Sequence, residues 1–153
     1  MDIKIRKLKK EDAIKTSNLI KKVQLVTLIK YYHKDIIDYF VEKNTPKNII
    51  RESKENNMYV AEFKNKIVGI LSFKDNEIKL LYIHPDFQRK GIGRKLFAKY
   101  MSLTKKFKKH IIYSSIPGEA AYLKYGYKKI KKIYKQKNNQ RYYNIYMEIK
   151  WNT

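Results

Sequence analysis

The sequence predicts an α/β (α+β) domain with a mixed, mostly antiparallel central sheet of about six to seven strands flanked by helices. Three observations predict it. After one alternating run, the residues before Met58 carry apolar positions at helical spacing. From Met58 the period drops to two over three successive runs. A strand, helix, strand succession then runs from Glu77 to Ser115.

Ile3, Ile5 and Leu8 alternate with Lys and Arg, the pattern of an outer strand. Glu11 and Asp12 follow where a helix start favours negative charge, and Ala13, Ser17, Ile20 and Val23 form the buried stripe of that first helix. Ile36, Ile37, Phe40 and Val41 give a second helix its apolar face. Thr45 and Pro46 read as the cap and first residue of a third, short helix carrying Ile49 and Ile50. Residues 58–63, 67–73 and 77–83 are β-rich runs separated by the turn-like pairs Asn65-Lys66 and Asp75-Asn76, which predicts an antiparallel meander. A helix over about residues 91–105 presents Ile92, Leu96, Tyr100 and Leu103 on one face, and residues 111–115 read as a buried strand, so a parallel crossover is expected there. A short helix over 119–125 precedes a last hairpin, 130–134 with 142–149, across the polar turn 137–140.

A chain of 153 residues suits one domain, taken as 1–153, with one core and no internal repeat. There is no cysteine, which excludes disulfides, thiolate metal sites and an acyl-cysteine intermediate. His33 and His110 stand apart with no carboxylate at ligand spacing, so no metal is expected. The longest apolar stretch, residues 67–71, is too short to span a bilayer, and the amino-terminal residues lack a signal-peptide core. The expectation is a soluble, cytoplasmic protein without a membrane partner, monomeric or homodimeric.

The formal net charge of +22 has two readings. One is an anionic partner: nucleic acid, a membrane surface or a phosphorylated ligand. The other is compositional bias, because Lys, Ile, Asn and Tyr supply about half of the residues and Lys outnumbers Arg about six to one. A reader of nucleic acid is expected to favour Arg, whose planar fork contacts phosphate and guanine bidentately.

The segment that carries chemistry runs from Leu81, Tyr82 and Ile83 through His84-Pro85-Asp86-Phe87 to Gln88-Arg89-Lys90-Gly91-Ile92-Gly93-Arg94, from a strand end through a loop into a helix. A helix start exposes unpaired backbone N–H groups and the positive end of the dipole, and Gly91 and Gly93 let an anion approach that backbone. Arg89, Lys90 and Arg94 add positive charge at the same point, so a pyrophosphate would be well held. The third glycine of a dinucleotide fingerprint and the Gly-Lys-Ser/Thr of a P-loop are both missing.

Gln88-Arg89-Lys90-Gly91-Ile92-Gly93 resembles the Gln/Arg-x-x-Gly-x-Gly/Ala motif of the Gcn5-related N-acetyltransferase (GNAT) family, and Ala121-Tyr122-Leu123-Lys124-Tyr125-Gly126-Tyr127 resembles its second signature. With the strand order, the likeness covers nearly the whole chain. It implies an enzyme that moves an acetyl group from acetyl-CoA to a primary amine by direct transfer in a ternary complex. It also implies that the backbone of Leu81, Tyr82 and Ile83 binds the pantetheine arm like an added strand, with an amide near Ile83 facing the thioester oxygen.

Residue by residue, the resemblance puts the general acid at Tyr122 and a pantetheine contact at Ser115, where relatives often have Asn. Ser115 also reads as a strand-end hydroxyl capping the next turn. Glu77 begins the fourth strand, where relatives often place a catalytic Glu, and equally reads as a solvated charge beside the Asp75-Asn76 turn. His84 has the side chain of a general base, but its place in a loop before Pro85 points rather to a structural or exposed role. Lys124, Lys128 and Lys129 are candidates for the nucleotide 3′-phosphate, or simply solvated lysines. The acceptor amine is left to residues 1–57 and the last hairpin, with Tyr31, Tyr32 and His33 as candidates for its lining and Asp35, Asp38 and Glu42 as a local acidic patch. The alternative is a non-catalytic, basic nucleic-acid-binding module using Lys105 to Lys109 and Lys128 to Lys137 with Phe107 and Tyr134, although no helix-turn-helix, RRM or KH signature is present.

Overall fold

A computed structural model describes residues 1–151. Seven strands form one sheet in the order β1-β2-β3-β4-β5-β7-β6. They are β1 (Lys4–Lys7), β2 (Asn57–Phe63), β3 (Lys66–Lys74), β4 (Glu77–Ile83), β5 (Lys109–Ser114), β6 (Lys128–Lys137) and β7 (Gln140–Lys150). Every neighbouring pair is antiparallel except β4 with β5. The helices are α1 (Ala13–Val26), α2 (Lys34–Lys43), α3 (Pro46–Glu52), α4 (Ile92–Leu103) and α5 (Glu119–Lys124).

Two layers of helix cover the sheet. Leu19, Ile20 and Val23 of α1 and Ile49 of α3 pack on Met58, Val60 and Ile70. Ile92, Leu96 and Tyr100 of α4 pack on the opposite face against Tyr59, Leu71 and Phe73. The interior strand β3 is buried along residues 67–73, as a strand covered on both faces must be. Each such fully buried aliphatic side chain contributes roughly 1.5–3 kcal/mol.

Local chemistry accounts for the element ends. The Thr45 hydroxyl accepts the Asn48 N–H at 3.3 Å and Pro46 opens α3. Asp75 and Asn76 make the β3–β4 turn, as expected, while the β2–β3 turn falls one residue earlier than Asn65-Lys66. Lys64 and Asn65 both take left-handed φ, at 48° and 64°, which suits the twist of a two-residue hairpin. Leu103, expected on the buried face, is 45% exposed. The α4 helix ends there because Thr104 folds back, its hydroxyl donating to the Tyr100 carbonyl at 2.8 Å. Asp12 does more than complement a helix start: its buried carboxylate accepts the Arg6 guanidinium at 2.7 and 3.0 Å and the Lys9 N–H at 2.7 Å, and these bonds hold it below the usual carboxylate range. Arg6 also reaches Glu62 at 3.1 Å, which ties β1, the helix entry and β2 together.

The outermost strand, β6, is exposed at nearly every position and carries lysine at six of its ten residues. Among the described residues, no helix is long and apolar enough to cross a membrane.

Candidate acetyl-transfer site

Strands β4 and β5 share only two residue pairs, Glu77 with Ile111 and Ile78 with Ile112. Beyond Ile78 the strands part. The cause is visible on the other side of β4, where Phe73 pairs with Ile78 and Ser72 with Leu80, so Lys79 is an extra residue. Such a bulge bends its strand and sharpens the local twist. From Leu80 to Ile83, β4 remains paired to β3 while its β5-facing edge borders a cleft of about 260 Å³.

The cleft is walled by Val23, Thr27 and Leu28 at the end of α1, by Ser114 and Ser115 at the end of β5, and by Tyr122 of α5. Leu81 and Ile83 turn their side chains into the core on the α4 side, and Tyr82 packs toward α1 and α2. What these residues offer to a ligand is therefore backbone. Ser115 precedes a 3-10 turn at Ile116–Gly118 and its carbonyl accepts the Gly118 N–H at 3.1 Å, but its side chain makes no capping bond, leaving the hydroxyl at the cleft.

At the end of β4, the His84 imidazole accepts the Asp86 N–H at 3.1 Å and caps a second 3-10 turn at Pro85–Phe87, the structural one of the two roles its loop position left open. Gln88 then donates from Nε2 to the Ile83 carbonyl at 3.2 Å, which ties the loop to the strand. Arg89 and Gly91 follow with left-handed φ of 61° and 83°. Alternating left-handed residues of this kind curl the backbone into an anion-binding concavity. No side chain caps α4, whose dipole starts at Ile92 immediately after Gly91. A Cβ on Gly91 would meet no atom within 4 Å, so the demand there is for its backbone angle and for open space. A Cβ on Gly93 would lie 3.1 Å from the Tyr125 hydroxyl, so glycine there lets the helix start sit against Tyr125. Arg89, Lys90 and Arg94 are exposed around this point, whereas the Ile92 side chain is buried and only its amide is available.

A family model for the acetyltransferase (GNAT) domain matches residues 24–149. The chain belongs to the GNAT acetyltransferase family. This GNAT domain is an acyltransferase by that membership, and solved structures agree with its fold. The GCN5-related N-acetyltransferase from Rhodopseudomonas palustris superposes with a TM-score of 0.89 at 18% identity, over 98% of this chain and 96% of that one. The PaiA N-acetyltransferase from Thermoplasma acidophilum, solved in complex with coenzyme A, gives a TM-score of 0.79 at 22% identity over 99% and 100%. YncA of Salmonella typhimurium, a putative acetyltransferase solved with acetyl-CoA, gives 0.70 at 16% over 100% and 96%. Among curated proteins, no sequence match was found.

Within the GNAT domain, Tyr122 is buried against Tyr125 and Tyr127, with ring centroids 6.0 and 5.5 Å away, and burial pushes its phenol well above the ordinary tyrosine range. It therefore keeps its O–H, a proton it can donate. Glu77 stands at the opposite end of β4 from the loop, in an ion pair with Lys79 at 3.0 Å, and is not part of the cleft lining. Lys129 pairs with Glu119 at 3.2 Å. Among the described residues no group of three or more His, Asp or Glu side chains converges as a metal site.

The expected acceptor-side residues do not line the cleft. Tyr31 is 49% exposed and His33 caps α2 by accepting the Asp35 N–H at 3.1 Å. Tyr32 is buried, a hydrogen-bonding strut between helix and sheet. A second cavity of about 480 Å³ adjoins the first and shares Leu28, Lys79, Leu80, Tyr82, Tyr113 and Ser115 with it. Sequence reasoning missed the contribution of Gln24 to this second cavity. The available signal was its position: Gln24 is a polar residue four positions after Ile20, on the buried stripe of α1.

Proposed function

We propose that the protein transfers the acetyl group of acetyl-CoA directly to a primary amine within a ternary complex. The observation that carries this reading is the free edge of β4 beyond Ile78, which runs straight to the uncapped start of α4 behind Gly91. A thioester on a long arm ending in a pyrophosphate matches both halves of that arrangement: an unpaired strand edge hydrogen-bonds an extended amide chain, and a helix start binds phosphate.

Acetyl-CoA, when bound, supplies an acyl group on a good leaving thiolate. The chain supplies position and protons. Backbone at Leu81, Tyr82 and Ile83 aligns the arm, Ser115 faces it from the opposite wall, and the amides from Arg89 to Arg94 with their three basic side chains hold the phosphates. Tyr122, kept protonated by burial, donates to the departing sulfur. Glu77, the sole carboxylate of β4, is the base in this reading and takes the ammonium proton through solvent.

The test measures acetyl-CoA-dependent thiol release across a panel of amines, with the melting temperature recorded alongside. A hundredfold excess of acetyl-CoA over Kd stabilises the fold by about 2.7 kcal/mol. No shift at millimolar acetyl-CoA overturns the reading.

A further inference from the structure

The lysine cluster of residues 105–109 lies away from the acetyl-transfer site. Helix α4 begins at the phosphate loop and ends at this cluster, about 18 Å further along its axis. There the chain turns back and meets the end of β7 around a cavity of about 570 Å³. Its wall is mainly apolar, built from Ala98 and Met101 of α4 with Phe107 and Trp151.

Hydrogen bonds within the wall use up its neutral polar groups. The Trp151 indole N–H donates to His110 Nδ1 at 2.7 Å, and the Trp151 backbone N–H donates to the Lys108 carbonyl at 2.8 Å. His110 Nε2 bonds the Thr104 hydroxyl at 2.9 Å, and the Ser102 hydroxyl donates back to the Lys99 carbonyl at 2.7 Å. The rings are held edge to face, with centroids 6.4 Å apart for Phe107 and His110 and 6.0 Å apart for His110 and Trp151. Trp151 is nevertheless 43% exposed, so this preformed wall keeps a large apolar surface open to solvent.

The rim has the opposite character. Lys105, Lys106 and Lys108 border the cavity, no Asp or Glu lines it, and none of the three lysines pairs with a carboxylate among the described residues. The Lys106 ammonium lies 5.1 Å from the centre of the Phe107 ring, which sets a full positive charge directly beside the apolar wall. Phe107 is half-buried and edge-on to His110, so it offers no open face for stacking a nucleic-acid base. The feature is also a recess, which takes up a single chain, whereas a bilayer is entered by side chains that project from the surface.

We infer that this cavity binds an alkyl carboxylate, a free fatty-acid anion, with its chain in the apolar recess and its head among the ammonium groups of Lys105, Lys106 and Lys108. A concave, mostly apolar site with a few convergent polar groups is the usual form of a small-molecule pocket, and charge-assisted bonds to the head fix the orientation. Because the wall is ordered before the ligand arrives, little is lost in arranging it. The inference stands apart from the acetyl-transfer reading.

Trp151, the sole tryptophan of the chain, reports occupancy by its fluorescence. Titrations of the full chain compare decanoate, decanol and decyltrimethylammonium, each below its micelle-forming concentration. Decanoate is expected to give a saturable change and to bind at least about tenfold more tightly than decanol, with the cation weakest. Lys105→Gln/Lys106→Gln/Lys108→Gln is expected to bring decanoate to within about twofold of decanol. Lys128→Gln/Lys131→Gln/Lys132→Gln removes the same charge from β6 and is expected to leave the parent's preference within about twofold. Ala98→Phe, which fills the recess and keeps all three lysines, is expected to weaken decanoate at least about tenfold. The inference is overturned by the lack of a saturable response to decanoate, by equal affinity for decanoate and decanol, or by unchanged binding in Ala98→Phe. Equal losses from the two lysine triples also overturn it, since the general field of the chain is then the cause. Binding to phosphatidylglycerol vesicles without a response to decanoate assigns the face to a membrane surface and overturns it as well.

Discussion

The Tyr32 hydroxyl accepts the backbone N–H of Ile116 at 2.9 Å and donates toward the Asn144 side chain at 3.1 Å. One phenol thereby joins the segment before α2 to the turn after β5 that walls the cleft. Burial pushes its pKa up to about 12. Tyr32→Phe keeps the ring packing on Phe40 and Tyr142 but leaves a part-buried N–H without its acceptor. The expected loss is about 1–3 kcal/mol in urea unfolding. Because the folded pKa lies above the unfolded value near 10, the contribution is full below pH 10 and fades as pH rises through about 12. An unchanged urea midpoint shows the strut to be dispensable.

Gly91→Val separates backbone strain from ligand exclusion. At φ 83° a β-branched residue costs about 1–2 kcal/mol, yet its Cβ meets no neighbour, so the variant is expected to fold. It is expected to lose the acetyl-CoA melting shift, since the space a phosphate needs is then filled. Retention of the full shift removes the loop from the binding site.

Tyr122→Phe preserves a buried ring and deletes one hydroxyl. The expected result is near-normal acetyl-CoA binding with kcat lowered by about tenfold to a thousandfold. If Tyr122 only packs α5 onto the sheet, kcat is unchanged with chemistry rate-limiting.

His110 is expected to make stability pH-dependent. It is 1% exposed: Nδ1 accepts the Trp151 indole N–H at 2.7 Å, which leaves Nε2 to donate to Thr104, and burial holds its pKa below the ordinary value. The unfolded chain binds the proton more readily, so stability is full above about pH 6.5 and declines as pH falls toward the folded pKa. Trp151 fluorescence during urea unfolding at a series of pH values reads this directly. His110→Phe is expected to flatten the dependence, and a slope that survives the substitution assigns it to other groups.

How much of this was legible depended on the range of the interactions. The Thr45-Pro46 cap follows from contacts within a few residues, and the apolar run that marks β4 and the glycine-bearing turn before α4 are likewise carried by short segments of sequence. The Lys79 bulge and the parting of β4 from β5 depend on register with a neighbouring strand, which no local pattern specifies. Tyr32, expected at the acceptor side, could not be read as a strut, because its partners lie 84 and 112 residues away.

The lysine-rich outer strand has a consequence for how copies of the chain meet. A sheet edge is a template: its unpaired amides and carbonyls invite another strand, and that is how ordered aggregates grow. On β6 any such approach sets one row of ammonium groups against another, so edge-to-edge growth is opposed most strongly at low ionic strength and less as salt shortens the reach of the charges. Polyanions such as heparin relieve the same repulsion by binding the row, so at low salt they, rather than added protein, are the expected trigger of precipitation.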